Sequence, residues 1–267
     1  MKISVIVPSF NQGQFIGRTV ESILSQKGDF EVECIVCDGG STDDTKEVLK
    51  EFERKIDDGK YKNLNKGITL SWVSKKDNGQ SDAINQGLKK STGDIIAYLN
   101  SDDSYTEGSF ANVIDGFKKN KSKIWLTGYC NVIDAEDRSI RNFISQYKNF
   151  WLRRYSYRKL LVLNFVSQPA TFWKRSIMDK FQSFDEKLHY TMDYDYWLKL
   201  GKEQDPIIIR RYLANFRIHG QSKGETSYIE QFNQDLGCAK NNTTNWYVLA
   251  VHRFHNFLVK CVYRLIK

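Results

Sequence analysis

The first half of the chain alternates short apolar runs with segments of helical period. The run Ile3 to Val7 is followed by a stretch in which Phe15, Val20, Ile23 and Leu24 share one helical face. A second cycle passes from the apolar "VECIVCD" through the polar "GGSTDDT" into "KEVLKEFERKI", where Val48, Leu49, Phe52 and Ile56 share a side. Ser41, Thr42 and Asp43 are candidate N-caps for that helix. A third cycle pairs "LSWVSK" with "SDAINQGLKK", and "DIIAYLNSDD" supplies a fourth apolar run. Four strands separated by helices predict an α/β fold with a mostly parallel sheet and helices on both faces. In such sheets ligands sit beyond the carboxyl ends of the strands. Pro8, Ser9 and Asn11 fall there after the first strand, Asp38 after the second, Asp77, Gln80 and Asp82 after the third, and Asn100, Ser101, Asp102 and Asp103 after the fourth. Each alone suits a turn or a cap. Four such ends on one sheet edge point to a site.

The chemistry of that site is narrowed by what the sequence lacks. No G-x-G-x-x-G and no G-x-x-x-x-G-K-[ST] occurs, so a glycine-rich phosphate nest is not expected. A carboxylate-lined pocket takes a diphosphate only with a divalent cation between them, and Asp102 and Asp103 offer that cation hard oxygen ligands. The 267 residues suffice for one large α/β domain, with or without a small appendage. Five cysteines, an odd number, read as buried apolar residues of a reducing compartment, with a redox role for Cys34-x-x-Cys37 as the alternative. The opening "MKISVIVPSF" reaches a proline turn too soon for a signal peptide, and no apolar run is long enough to cross a bilayer. A cytoplasmic protein is expected.

The blocks "SVIVPSFNQGQFI", "CDGGSTDDT", "DNGQSDAINQGLKKSTGDIIAYLNSDD" and "SQPATFWKRS…FDEKLHYTMDYDYWLKL" together closely resemble the family 2 glycosyltransferases of the GT-A fold, over roughly residues 1 to 225. The resemblance implies an inverting, metal-dependent transfer of one sugar from a nucleotide-sugar donor to a saccharide acceptor. It implies that Pro8, Ser9, Asn11 and Asp38 hold the nucleobase and ribose, with Gln80 and Asp82 on the nucleotide-sugar side. Asn100-Ser101-Asp102 matches the D-x-D motif, whose last aspartate binds Mn²⁺ or Mg²⁺. Asn100 departs from that motif, and an amide can still bond a ribose hydroxyl. Asp193 matches the general base, in a helix that Asp195 and Trp197 anchor. From its spacing alone, Asp193 reads equally as a helix-start carboxylate. His219 in "FRIHGQSKG" is implied as a second metal-side residue, followed by a loop with Ser222 and Lys223 that could close over the donor. Gln168 and Trp197 are implied on the acceptor side, Gln168 reading equally as a buried amide. Family frequency favours a uridine donor, with thymine and guanine open. A noncatalytic nucleotide-sugar-binding or scaffold relative is the alternative function, because of Asn100.

Charge adds a third reactant surface. The formal charge of +8 is regional: nine bases and no acid lie between Asp137 and Asp179, and five bases and no acid follow Asp235. The rest of the chain is net acidic. In "NWYVLAVHRFHNFLVKCVYRLIK", Arg253, Lys260, Arg264 and Lys267 fall on one helical face and Val251, Phe254, Leu258, Cys261, Val262 and Leu265 on another. Such a helix suits an anionic membrane surface, or packs its apolar face on the catalytic domain or on a second subunit. The aromatic and basic "YKNFWLRRYSYRKLLVLNF" is a second contact surface. Many relatives act on polyprenyl-diphosphate-linked oligosaccharides, which makes a peripheral enzyme of O-antigen or capsule synthesis the expected setting. Nucleic acid is not an expected partner, since it would leave the carboxylates unused. Residues 1 to 104 are expected to form the nucleotide-sugar half, 105 to 225 the acceptor half, and 226 to 267 a helical extension.

Overall fold

A computed structural model describes residues 1–220 and 228–266 of the chain. Strands β1 (Lys2–Ser9) and β2 (Glu31–Asp38) are buried along nearly their whole length, as strands covered on both faces must be. β3 (Gly67–Ser74) is the more exposed edge, and β4 (Ile95–Tyr98) lies on the other side of β1. These four strands run parallel. Their register aligns Ser9 with Asp38 and Asp38 with Ser74, so the polar strand ends form one row.

The crossovers are the helices α1 (Gly13–Leu24), α2 (Thr45–Asp57) and α3 (Gln80–Lys90). Gly87 lets α3 lie directly on β1: a Cβ there would come within 2.4 Å of the Ile6 Cγ2. After a two-residue strand β5 (Ser104–Tyr105) and helix α4 (Ser109–Lys119), the chain adds β6 (Trp125–Ile133), β7 (Thr171–Lys174) and β8 (Ile207–Arg217). The eight strands form one sheet in the order β3-β2-β1-β4-β7-β6-β8-β5. β7 is antiparallel to both its neighbours, and β6 and β8 are parallel. The sheet is therefore mixed: parallel from β3 to β4, where the polar strand ends of β1 and β2 lie, and largely antiparallel beyond.

One apolar core lies between the sheet and α1, α2 and α4, where Ile16, Val20, Leu49 and Phe110 meet Val5, Val36 and Ala97. A second gathers Ile84 and Leu88 of α3 with Trp125, Trp173 and the helix α7 (Met192–Glu203). The helices α5 (Asn142–Arg153) and α6 (Tyr157–Leu160) contribute Leu152 and Leu160 to it. Two final helices, α8 (Tyr228–Asn242) and α9 (Trp246–Ile266), add Cys238 and Val248 to this second core. The C-terminal segment is thus built into the second core. Cys34, Cys37, Cys130 and Cys238 are buried free thiols, and burial pushes Cys34 up to about 12, far from a reactive thiolate. No described helix is long and apolar enough to cross a membrane.

Candidate functional site

The loops after β1 and β2 are stitched to each other. Asn11, in the left-handed region at φ 52°, accepts through its side chain from the Thr42 amide at 2.9 Å, and its own amide donates to the Ser41 hydroxyl at 2.7 Å. Asp38 is 2 % exposed; its Oδ2 accepts from the Ser41 amide at 2.9 Å and from the Ser74 hydroxyl at 2.5 Å. The Ser41 hydroxyl donates to Asp38 Oδ1, which keeps one lone pair for a further donor. Ser9 is buried beside Asp38, and its hydroxyl oxygen has no partner among the described residues. Pro8 is buried in the same strand end. Asp82 opens α3 and accepts from the Asn78 amide at 2.9 Å, and that bond first, then Gln86, holds its carboxyl below the ordinary range.

Asn100 occupies a position that a carboxylate would fill poorly. Its Oδ1 accepts from Gln80 Nε2 at 2.7 Å while its Nδ2 donates to Asp103 Oδ2 at 3.2 Å, with Gln168 Oε1 at 3.5 Å. An amide accepts and donates at once, whereas a carboxylate here would face two further oxygens. Burial, then the neighbouring Asp102, pushes the Asp103 carboxyl well above the usual range and favours its neutral form. A third acid at position 100 would add to that conflict. The departure from D-x-D therefore has a local structural cause.

Residues 101 to 103 are held by their main chain. The Thr19 hydroxyl donates to the carbonyls of Ser101 and Asp103 at 2.9 and 2.7 Å. Arg217, at the end of β8 and almost fully buried, donates from Nε to the Asp102 carbonyl at 2.7 Å and from its amide to Asp103 Oδ1 at 2.8 Å. The Asp102 side chain is left facing His219, with Oδ2 and Nε2 at 3.0 Å. The Phe15 ring packs on that imidazole at 4.6 Å between centroids. One carboxylate oxygen and one imidazole nitrogen are a pair that could share a Mn²⁺ ion with ligands from a bound molecule. Among the described residues no cluster of three or more His, Cys, Asp or Glu could hold an ion unaided. Ser222 and Lys223 lie outside the described residues.

Asp193 stands at the start of α7, where its Oδ1 accepts from the Tyr194 amide at 2.8 Å. Burial raises its proton affinity, opposed by that amide and by the Lys148 ammonium. Lys148 comes from α5, and burial in turn lowers its own pKa. Asp235 of α8 completes the cluster: burial first, then Asp193, pushes its carboxyl up to about 8, and its Oδ1 has no partner among the described residues. α8 is fixed there by Gln234, whose Oε1 accepts from the Tyr190 amide at 3.1 Å, and by Cys238, 3.4 Å from the Thr191 hydroxyl. Burial first, then the charges of Asp193 and Asp103, push the Tyr98 phenol of β4 up.

Lys148 and Asp235 have no distinguishing motif in the sequence, and only their convergence from separate helices exposes them. Gln168 donates to the Tyr98 carbonyl at 2.6 Å and is 8 % exposed, so it is mainly a buried amide beside Asn100. Trp197 requires a correction. The acceptor-side expectation fails because its side chain is fully buried, stacked on Trp125 at 6.2 Å and against Trp173 at 5.8 Å. It is a core residue that holds α7 to the sheet.

The charge cluster predicts a pH signature. Asp235 binds its proton more tightly folded than unfolded, so the stability linked to it is present below the ordinary carboxylate range and is lost as pH rises through about 8. Asp235→Asn is expected to remove that decline and to stabilise the fold above it, on the order of a few kcal/mol. Thermal melts across pH check this; parallel pH dependences of wild type and variant would refute it. Lys148→Met is expected to move the acid limb of kcat/KM to higher pH, with Lys148→Arg restoring it.

A parallel βαβ half whose strand ends carry Asp38, Asn100 and Asp102, joined to a mixed half that carries Asp193, is the GT-A arrangement of glycosyltransferases. The chain belongs to glycosyl transferase family 2, whose sequence profile matches residues 4–181. An uncharacterised glycosyltransferase of Rickettsia prowazekii is 27 % identical over 96 % of this chain and 77 % of its own length. The chondroitin synthase of Escherichia coli is 29 % identical over 82 % of this chain, which spans only 29 % of that enzyme. The GalNAc(5)-diNAcBac-PP-undecaprenol beta-1,3-glucosyltransferase of Campylobacter jejuni is 27 % identical over 82 % of this chain and 66 % of its own length. The chain spans about two fifths of a Nostoc glycosyltransferase that it also matches. In fold it is similar to S. aureus TarS 1-349 in complex with UDP-GlcNAc, at a TM-score of 0.66 and 16 % identity over 92 % of this chain and 67 % of that one. It is likewise similar to the Pyrobaculum calidifontis mannosyltransferase PcManGT in complex with GDP-Man and Mn²⁺, at a TM-score of 0.68 and 15 % identity over 96 % and 69 %.

Proposed function

We propose that the chain is an inverting glycosyltransferase that moves one hexose from a nucleotide-sugar, a UDP-sugar first among them, to a saccharide carried on polyprenyl diphosphate in the synthesis of a surface polysaccharide. The observation that carries this reading is the presence of two acid sites: the Asp102–His219 pair after β4, and the half-buried Asp193 at the start of α7, whose charge reaches Tyr98 of β4. The lipid-linked acceptor is supported by the named activity of the Campylobacter relative. The donor class is supported by the nucleotide-sugar complexes of the two structural neighbours.

In this reading Ser9, Asn11 and Asp38 receive the nucleoside, the buried Ser9 hydroxyl and the spare Asp38 lone pair being the groups left to bond it. Asp193 keeps Oδ1 on the Tyr194 amide and uses Oδ2 to take the acceptor hydroxyl's proton as its oxygen attacks the anomeric carbon. Asp102 and His219 would hold the divalent cation, whose chemistry is to stabilise the departing diphosphate. Lys148 favours the ionised Asp193 that proton transfer requires.

Calorimetric binding of UDP, dTDP, GDP and CMP, each with and without Mn²⁺, tests the donor side. Tight binding of UDP that requires the metal is the expected result. Equal binding of all four, or none with metal present, would overturn it.

A further inference from the structure

Among the described residues, eleven large apolar side chains are exposed, and eight of them lie on α5 and α9. Phe143, Tyr147 and Phe150 line the outer side of α5. On α9, Trp246 is 77 % exposed, Phe254 63 % and Phe257 61 %, with Tyr247 and Leu258 beside them. The two helices are joined where the Tyr147 hydroxyl meets His255 Nε2 at 2.9 Å. The aromatic residues therefore form neighbouring rows and are not scattered over the surface.

α9 is mounted with its apolar side outward. Val248, His252 and Asn256 face the protein, with His252 Nδ1 2.7 Å from the Leu161 carbonyl and Asn256 Nδ2 donating to the Phe232 carbonyl at 3.0 Å. At 100° per residue, Trp246, Phe254, Phe257 and Leu258 project from the opposite side. The catalytic domain thus takes the stripe of α9 that carries Val248, His252 and Asn256 and leaves the aromatic one open. Eight exposed large apolar side chains on two adjoining helices mark an interaction surface.

Charge selects the occupant. Neither helix contains an acid, while Arg153, Arg154 and Arg253 are exposed beside the aromatics. The Arg154 guanidinium lies over the Phe150 ring at 4.1 Å, which places a cation at the edge of the apolar row. Tryptophan, tyrosine and arginine around an apolar face match the headgroup boundary of a bilayer. Each basic side chain near an anionic surface strengthens binding about fivefold.

We infer that α5 and α9 together form a docking face for an anionic membrane surface. The other side of α5 carries Lys148, whose charge acts on Asp193, so one helix would border both the bilayer and the proposed base. The inference deepens the lipid-linked acceptor reading, and rests on it for the purpose of the docking. A polyprenyl acceptor has its diphosphate at the headgroup level, where such a chain would hold its acceptor side.

The test is flotation of the full chain with vesicles of phosphatidylcholine alone, and of phosphatidylcholine and phosphatidylglycerol in equal parts. The chain is expected to float with the anionic vesicles and not with the neutral ones, and to be released several-fold by high salt. The triple variant F143S/F254S/F257S changes exposed side chains only, and is expected to lose flotation at least about fivefold while keeping UDP affinity. A chain that stays at the bottom of the gradient, or a variant that floats like wild type, would overturn the docking face. So would light scattering that shows a dimer broken by the triple substitution, which would assign the face to a second copy. A chain that floats but glycosylates only water-soluble acceptors keeps the docking face and overturns the acceptor reading alone.

Discussion

Asp193→Asn is expected to lower kcat by about 100- to 10,000-fold with donor affinity unchanged. The asparagine oxygen can still accept from the Tyr194 amide, so the start of α7 keeps its geometry. What is lost is the ability to take a proton. The donor-side groups Ser9, Asn11, Asp38 and Asp102 belong to β1, β2, β4 and the loops after them, and the hydrogen bond that fixes Asp193 involves none of them. Single-turnover transfer on saturating donor, with UDP calorimetry alongside, separates the two quantities. Near-normal turnover would remove Asp193 from the base role, and lost nucleotide binding would make it a structural residue.

Asp102→Ala is expected to weaken Mn²⁺-dependent UDP binding by about 100-fold or more, and His219→Ala by about tenfold. The loop should survive both changes, because Thr19 and Arg217 hold residues 101 to 103 through carbonyls and through Asp103, not through the Asp102 side chain. In the absence of metal the variants and the wild type should bind UDP equally weakly. Titrations of UDP at several Mn²⁺ concentrations check this. Unchanged metal dependence in Asp102→Ala would exclude this carboxylate as a ligand. The Asn100 amide gives a further contrast: Asn100→Asp, a return to the more usual acid, should not improve binding, since it would lose the bond to Asp103 and face Gln168 Oε1.

The row of polar strand ends was legible because it depends on two local rules. Short continuous apolar runs mark strands covered on both faces, and strands joined by helices run parallel, so their carboxyl ends fall on one edge. The register of Ser9, Asp38 and Ser74 follows from that topology. Asp193 was legible only through its resemblance to a known block, since its spacing reads equally as a helix start. Trp197 was misread because α7 is buried on nearly every side, with Tyr194 through Leu198 all in the interior. When a helix has no solvent face, its pattern does not say which aromatic borders a cavity and which fills the core.

The amino-acid sequence by itself determined the α/β alternation, the polar strand ends and the presence of an apolar and a basic face on the last helix. These are properties of short segments, set by backbone period and side-chain polarity. Only the tertiary structure decided that Lys148 of α5 and Asp235 of α8 converge on Asp193, and that α9 turns its Val248, His252 and Asn256 stripe inward and its aromatic stripe out. Both depend on how distant helices pack. Amphipathicity states that a face needs a cover, and the shape of the neighbouring surface decides which face is covered.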